Sequence, residues 1–454
     1  MRAGEWITRS ASLLRPSLEP KAVAAGTAVA SASPRTTRER LQATLRRNQE
    51  ALSPRVLRRT LSELQAIVDP RVSEVEGSRL ACEFARWYAR ASADERRDCW
   101  LLMSEQFSPD PRQIKVARER YEAALGTPEE AQAEIGLRRA FVSPRARLLQ
   151  RFSGYPEGMR FLVDLRAELL PHLKSDKRLL PLDAELEGLF STWFDVAFLE
   201  LRRISWDSPA SLIEKLIKYE AVHDIRSWGD VKNRLDSDRR CYGFFHSRLD
   251  GEPLIFVEVA LVDEISDSIT PLLDEGAAPA DLAKATTAIF YSISNTQTGL
   301  RGVSFGDSLI KRVVETLKAE FPRLKTFATL SPIPGLRQWV AKNAPAELLA
   351  ALEQPLALAP KSPQRARLMA LAARYLGQET DNGKPCDPVA RFHLGNGARV
   401  ERLNWAADPS PKGLKQSFGL MVNYLYDLKR LDKHRTMLSK GEIPISRAIE
   451  DLYG

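Results

Sequence analysis

Hydrophobic positions in the first half of the chain recur at helical spacing. Over residues 38–201, Leu41, Leu45, Leu52, Leu57, Leu61 and Leu64 fall three, four, five or seven residues apart, with Arg and Glu between them. That period gathers apolar side chains on one helix face. Ser53-Pro54 and Asp69-Pro70 read as breaks between helices. Further helices are predicted over 77–91, 94–106, 112–125, 128–152, 155–173 and 182–203. β-branched residues and glycine are sparse here, so residues 38–203 read as an all-helical bundle serving as scaffold and self-association domain.

After Trp206 the pattern changes. Residues 209–221 are predicted helical, with Ser208 as cap and Pro209 in the first turn. Two β-rich runs, 242–249 and 254–262, flank Asp250-Gly251 and read as a hairpin. A short helical link is expected at 281–287 and a strand at 289–294. A helix follows at 305–320, with Leu309, Ile310, Val313, Val314 and Leu317 on one face, then a strand at 326–330. Such a strand–helix–strand unit crosses over right-handed and pairs its strands in parallel. Helices are predicted at 345–353 and 362–376, and a polar loop at 377–388. Residues 392–405 have strand character, and 413–432 read as mostly helical with Gly419 as a soft spot. No internal repeat of fixed period is found. The fold class is α+β, with residues 204–454 forming the second domain.

At 454 residues the chain is longer than one ordinary core, and its 44% apolar and 28% charged content is that of a globular protein. No window approaches the roughly eighteen apolar residues of a membrane-spanning helix, so no membrane association is expected. The net charge of +8 favours anionic partners. Acids and bases are interspersed, though, and a solvated mixed surface is the favoured reading. Cys82, Cys99, Cys241 and Cys386 include no CxxC pair and no nearby His, which argues against zinc and for buried thiols in a reducing compartment. Residues 1–37 are rich in Arg, Ser and Ala, with no acid between Glu19 and Glu39. They read as a disordered tail or as a targeting-like segment. The last residues, Asp-Leu-Tyr-Gly, carry no peroxisomal tripeptide.

The richest stretch chemically is 289–339. Its strand leads into a turn punctuated by Gly299, Gly302 and Gly306 and then into a helix. Main-chain N–H groups at such a helix start, together with its dipole, suit a phosphate. Arg301, Gly302, Val303, Ser304, Phe305, Gly306, Asp307 and Ser308 would form that loop. Its spacing is similar to the R/Q-x-x-G-x-G/A loop with which the acetyltransferase-like fold holds coenzyme A, although Ser304 stands at the first loop glycine and the charge of Asp307 opposes an anion. Taken alone, such a pattern is more often a plain turn. Ser331 precedes Pro332 in the run LSPIPG, so a hydroxyl sits on a stiff corner at a strand end; a turn or helix cap is the plainer reading. His393 is one of five histidines and lies beside a Gly-Asn-Gly turn.

Together these segments resemble the malonyl-CoA decarboxylase family. The resemblance runs from about Phe161 to Asp427. It is carried by AIFYSISNTQTGLRGVSFGDSLIKRVV, TLSPIPGL, RFHLGNGARVERLNWAADPSPKG and GLMVNYLY, and by WDSPASLIEKLIKYEAVH and RRCYGFFH. It implies a helical N-terminal domain and an acetyltransferase-like mixed-sheet catalytic domain. It also implies conversion of malonyl-CoA to acetyl-CoA and carbon dioxide with neither metal nor organic cofactor, coenzyme A being part of the substrate. By the same resemblance Ser331 and His393 correspond to a catalytic serine and histidine, Tyr426 to a site tyrosine, and residues 301–308 to the coenzyme A loop. The chain departs from the pattern at Ser304, where some members, the animal enzymes among them, carry a glutamate proposed to touch the serine. A homo-oligomer, dimer or tetramer, is expected through the helical domain, and a bacterial cytoplasm is the expected location, with the mitochondrial matrix as alternative. Competing readings are an acyl-CoA N-acyltransferase, a non-catalytic coenzyme A sensor, and a nucleic-acid binder using the Arg-rich residues 38–47. The last lacks aromatic residues among its basic runs, and no nucleic-acid partner is expected.

Overall fold

The computed structural model describes residues 53–303 and 309–453. The expectations for the 1–37 tail, for the helix containing Leu41 and Leu45, and for Ser304, Phe305, Gly306, Asp307 and Ser308 lie outside the described residues.

The helices of the first region begin where short polar caps precede them. Ser53 accepts from Val56 N at the start of α1 (Pro54–Val68), and Ser73 from Glu76 N at α2 (Glu74–Tyr88). Ser92 and Glu95 form a reciprocal capping box at α3 (Ala93–Gln106). Asp110 and Ser143 cap the proline starts of α4 (Pro111–Ala124) and α6 (Pro144–Phe152), with α5 (Glu130–Phe141) between them. The single helix expected over 128–152 is therefore two, broken at Ser143-Pro144. Then come α7 (Gly158–Leu169) and α8 (Leu180–Trp193). Leu148, Leu149 and Phe152 of α6 are fully buried at the bundle centre, with Leu162 of α7 and Leu186 of α8.

The helical text expected to Arg203 ends earlier. Strand β1 (Glu200–Ile204) pairs antiparallel with β2 (Arg239–Phe245), so the last residues assigned to the bundle belong to the sheet. Between these strands lie α9 (Ala210–Tyr219) and α10 (Trp228–Arg234). β2 and β3 (Pro253–Val262) form the expected hairpin, and β4 (Thr287–Asn295) continues the antiparallel meander. The link at 281–287 is a turn rather than a helix. Through α11 (Leu309–Glu320) the chain reaches β5 (Thr326–Thr329), which pairs in parallel with β4 as the strand–helix–strand pattern requires. After β6 (Ser331–Pro332) come α12 (Leu336–Asn343), α13 (Ala346–Ala351), α14 (Pro363–Gly377) and a small hairpin of β7 (Thr380–Asp381) and β8 (Lys384–Pro385). The sheet is completed by β9 (Arg399–Asn404) and β10 (Met421–Leu425). Its order is β1-β2-β3-β4-β5-β10-β6, with β9 on β10. A helical N-terminal region followed by this mixed sheet is the acetyltransferase-like arrangement expected. The described residues fall in one compact unit.

Two further expectations are corrected. Residues 392–405 are not one strand: Asp387 caps α15 (Pro388–Gly395) by accepting from Val389 N and Ala390 N, and β9 begins only after Gly397, whose φ is 87°. Likewise 413–432 is not mainly helix. α16 (Pro411–Ser417) stops where Phe418 and Gly419 take φ of 57° and 81°, and the buried run Met-Val-Asn-Tyr-Leu is β10. α17 (Leu431–Ser439) and α18 (Arg447–Glu450) finish the described chain.

Candidate functional site

The site arises where the sheet comes apart. β4 and β5 stay paired from Thr287↔Thr326 to Phe290↔Thr329, and Leu330 N still donates to Phe290 O at 3.0 Å. Beyond that point β4 runs on to Asn295 beside β3, while Ser331 and Pro332 follow β10. Tyr291 sits at a register shift: Glu258 faces Ser292 and Val259 faces Phe290, so Tyr291 is the extra residue of a bulge. The parted strands leave a cavity of about 470 Å³, lined among others by Tyr291, Ser292, Gly302, Val303, Ser331 and His393.

Ser331 and His393, 62 positions apart in sequence, meet there: Ser331 Oγ lies 3.2 Å from His393 Nε2. His393 Nδ1 lies 2.7 Å from the Tyr426 hydroxyl. All three side chains are buried. α15 carries His393 over the strand ends, and Tyr426 follows directly on β10, its N–H donating to Phe327 O at 2.9 Å. The sequence reading missed two neighbours. Thr329 Oγ1 accepts from Ser331 Oγ at 2.8 Å and from Tyr424 N at 3.1 Å. The Tyr424 ring stacks on His393 at 4.7 Å with 27° between planes. Strand parity is the signal that finds both, since residues two apart share a face: 329 with 331, and 424 with 426.

These bonds assign the protons. Ser331 gives its hydroxyl proton to Thr329, so it accepts from His393 at Nε2, and Nδ1 accepts from Tyr426. Burial holds the imidazole in its neutral form, pushing its pKa down to about 3. Burial also pushes the Tyr426 hydroxyl well above its ordinary value.

One cavity wall is polar. Ser292 Oγ donates to Glu220 at 2.8 Å and Ser294 Oγ at 3.1 Å. Behind the bulge, burial raises the Glu258 carboxyl to about 8, although Arg234 Nη1 lies 2.9 Å away. Arg391 also borders the cavity and brings a positive charge to it. Of the glycine turn, Arg301 and Gly302 are exposed and Val303 is buried, and Gly302 has φ of 81°. One N–H expected to face a phosphate is already used: Val303 N donates to Leu300 O at 3.1 Å. Among the described residues no cluster of three or more His, Cys, Asp or Glu could hold a metal ion, and no helix is long and apolar enough to cross a membrane.

Comparison with known proteins bears on what this arrangement does. Residues 197–453 match the family model described as malonyl-CoA decarboxylase C-terminal domain, and residues 107–194 match the corresponding N-terminal domain. The mitochondrial malonyl-CoA decarboxylase of Anser anser anser is 36% identical over 407 residues, covering 77% of this chain and 78% of that one. The Rattus norvegicus protein of the same description is 39% identical over 347 residues, covering 66% and 68%. Among solved structures, malonyl-CoA decarboxylase from Rhodopseudomonas palustris is 40% identical with a TM-score of 0.77, covering 87% of this chain and 99% of that one. The enzyme from Cupriavidus metallidurans is 42% identical with a TM-score of 0.70, covering 88% and 100%.

Proposed function

This chain belongs to the malonyl-CoA decarboxylase family, and we propose that it decarboxylates malonyl-CoA through an enolate-like intermediate that His393 protonates. The carrying observation is the buried chain of hydroxyl, imidazole and phenol that ends in the cavity between the parted strands.

The reaction breaks the bond between C2 and the carboxylate carbon. The electron pair passes to C2 and the thioester oxygen, carbon dioxide leaves, and one proton is consumed in forming acetyl-CoA. On substrate binding Ser331 turns its hydroxyl proton from Thr329 to the malonyl carboxylate or to the growing oxyanion; one such donor in a dry site is worth about 3 kcal/mol. The cavity holds the carboxylate out of the carbonyl plane, so that the breaking bond overlaps the π system.

Burial gives His393 its direction. The charge of a bound malonyl carboxylate offsets desolvation and lets the imidazole take a proton. Once the carboxylate departs as carbon dioxide, that compensation is gone. The imidazolium is then a strong acid beside a carbanion, and transfer of its Nε2 proton to C2 leaves a neutral ring protonated at Nδ1, from which proton exchange with solvent regenerates the Nε2–H form of the empty site. The Tyr426 hydroxyl donates to Nδ1 of the neutral ring and accepts from it when charged, so it orients both forms. Tyr424 holds the ring plane by stacking. Serine acts here without a covalent intermediate, and the chemistry calls on no further cofactor.

We place the coenzyme A diphosphate at the glycine turn, a reading supported by Gly302 and Val303 lining the same cavity as Ser331. We also propose self-association through the helical region. The α4–α5 hairpin supports it, for it packs chiefly on itself and leaves Val116, Ile135 and Phe141 exposed. For location we propose a bacterial cytoplasm, on the likeness to bacterial enzymes along almost their whole length.

The test is carbon dioxide release from malonyl-CoA alone, with no amine acceptor and with EDTA present. Stoichiometric acetyl-CoA is expected. Ser331→Ala and His393→Ala should each lose about a hundredfold or more in kcat while still binding coenzyme A. Near-normal turnover by His393→Ala would refute the proton assignment, and a requirement for an acceptor would favour the acyltransferase reading.

A further inference from the structure

The segment leading from β4 into the glycine turn is gripped by the helical region. Arg166 of α7, only 2% exposed, donates through Nη1 to Gly299 O and to Arg301 O, each at 2.8 Å. Its Nε lies 2.8 Å from Asp183, and Nη2 lies 3.7 Å from Glu187, both residues of α8. A buried cation is costly unless charges and hydrogen bonds surround it; here two carboxylates and two main-chain oxygens do so. Six residues earlier on α7, Arg160 Nη2 donates to Gln297 Oε1 at 2.7 Å. Between these arginines the backbones touch: a Cβ added to Gly299 would lie 1.9 Å from Val163 O.

This grip sits directly before the cavity. Gly302 and Val303 line it, and the carbonyl of Arg301, one residue upstream, is an Arg166 acceptor. We infer that Arg166 is a positioning residue for the nucleotide end of the substrate, which makes α7 and α8 of the helical region part of the substrate site rather than only a scaffold. The inference rests on the reading that the glycine turn receives coenzyme A. The guanidinium serves both carbonyls and Asp183 as a rigid fork. A lysine at 166 keeps the charge but has no planar fork with which to hold all three acceptors in place.

The experiment titrates coenzyme A itself into the full chain by calorimetry and measures steady-state turnover of malonyl-CoA. For Arg166→Lys we expect about tenfold weaker coenzyme A binding and a matching rise in KM, with kcat within about threefold. Arg160→Gln, a gentler change at a partly exposed side chain, should move the same quantities in the same direction by about threefold, and it decides the matter if Arg166→Lys does not fold. Unchanged coenzyme A affinity in the folded variants overturns the inference, even if kcat or melting temperature falls, since a merely structural arginine would do that. If the unmodified protein does not bind coenzyme A, the reading of the turn fails and the inference falls with it.

Discussion

Replacing His393 by glutamine isolates the consequence of burying an imidazole. In the folded chain the ring has a pKa of about 3 because burial disfavours its charged form; unfolded, it returns to about 6.5. The native value is depressed, so below the unfolded pKa the unfolded state binds the extra proton, and stability is lost as pH falls through the window from about 6.5 to 3. Between about pH 7.5 and about pH 5.5 the loss from this group alone is about 1.4 kcal/mol, the protonation free energy of a free imidazole one pH unit below its pKa. Glutamine keeps a polar side chain of similar reach but does not titrate. Other groups move too: His223, lowered by burial to about 4, and Glu258, raised by burial to about 8, act in opposite directions. They are common to both proteins and cancel in the difference. Urea unfolding of parent and His393→Gln at the two pH values should therefore give a stability difference that shifts by about 1.4 kcal/mol towards the variant at the lower pH. A difference that stays constant within about 0.5 kcal/mol would refute a neutral, desolvated His393.

Thr329→Val removes the acceptor of the Ser331 proton and leaves the buried Tyr424 N–H unpaired, at a cost of about 1–3 kcal/mol. Nitrogen NMR should show Nε2–H in the parent and a shift to Nδ1–H in the variant, with Thr329→Ser restoring the parent spectrum; an unchanged tautomer in Thr329→Val refutes the proton assignment. Tyr426→Phe strips the hydroxyl from Nδ1 and should lower kcat about tenfold to hundredfold with KM little changed, whereas full turnover would mean that the phenol orients nothing.

Local signals carried much of this molecule. Breaks such as Ser53-Pro54 and the Asp250-Gly251 turn act within a few residues of where they stand, and the helix after the one and the hairpin around the other are present. So does the strand–helix–strand unit, because its period changes from two to helical and back. Residues 421–425 are buried on both faces in a central strand, so they show no alternation and continue the apolar rhythm of the helix before them. The strand character of residues 392–405 takes in His393, because Asp387-Pro388, which starts its helix, lies in a stretch whose polar composition reads as loop. The pairing of Ser331 with His393 came from resemblance; no spacing in the chain announces a contact across 62 residues. Arg166 was invisible for another reason. Its acceptors are carbonyl oxygens, which every residue possesses and no letter of the sequence marks.

The Val163–Gly299 contact imposes a lopsided constraint on inheritance. At 299 any side chain collides with the neighbouring helix, whereas at 163 the obstacle is a carbonyl oxygen that persists whatever amino acid is encoded. This contact thus forbids drift on one side of the seam, while on the other it is burial in the core that restricts Val163. Statistics of paired substitutions would register little at that contact, and a chimera joining the helices of one homologue to the sheet of another has to keep that glycine together with the Arg166 and Arg160 bonds across the same seam.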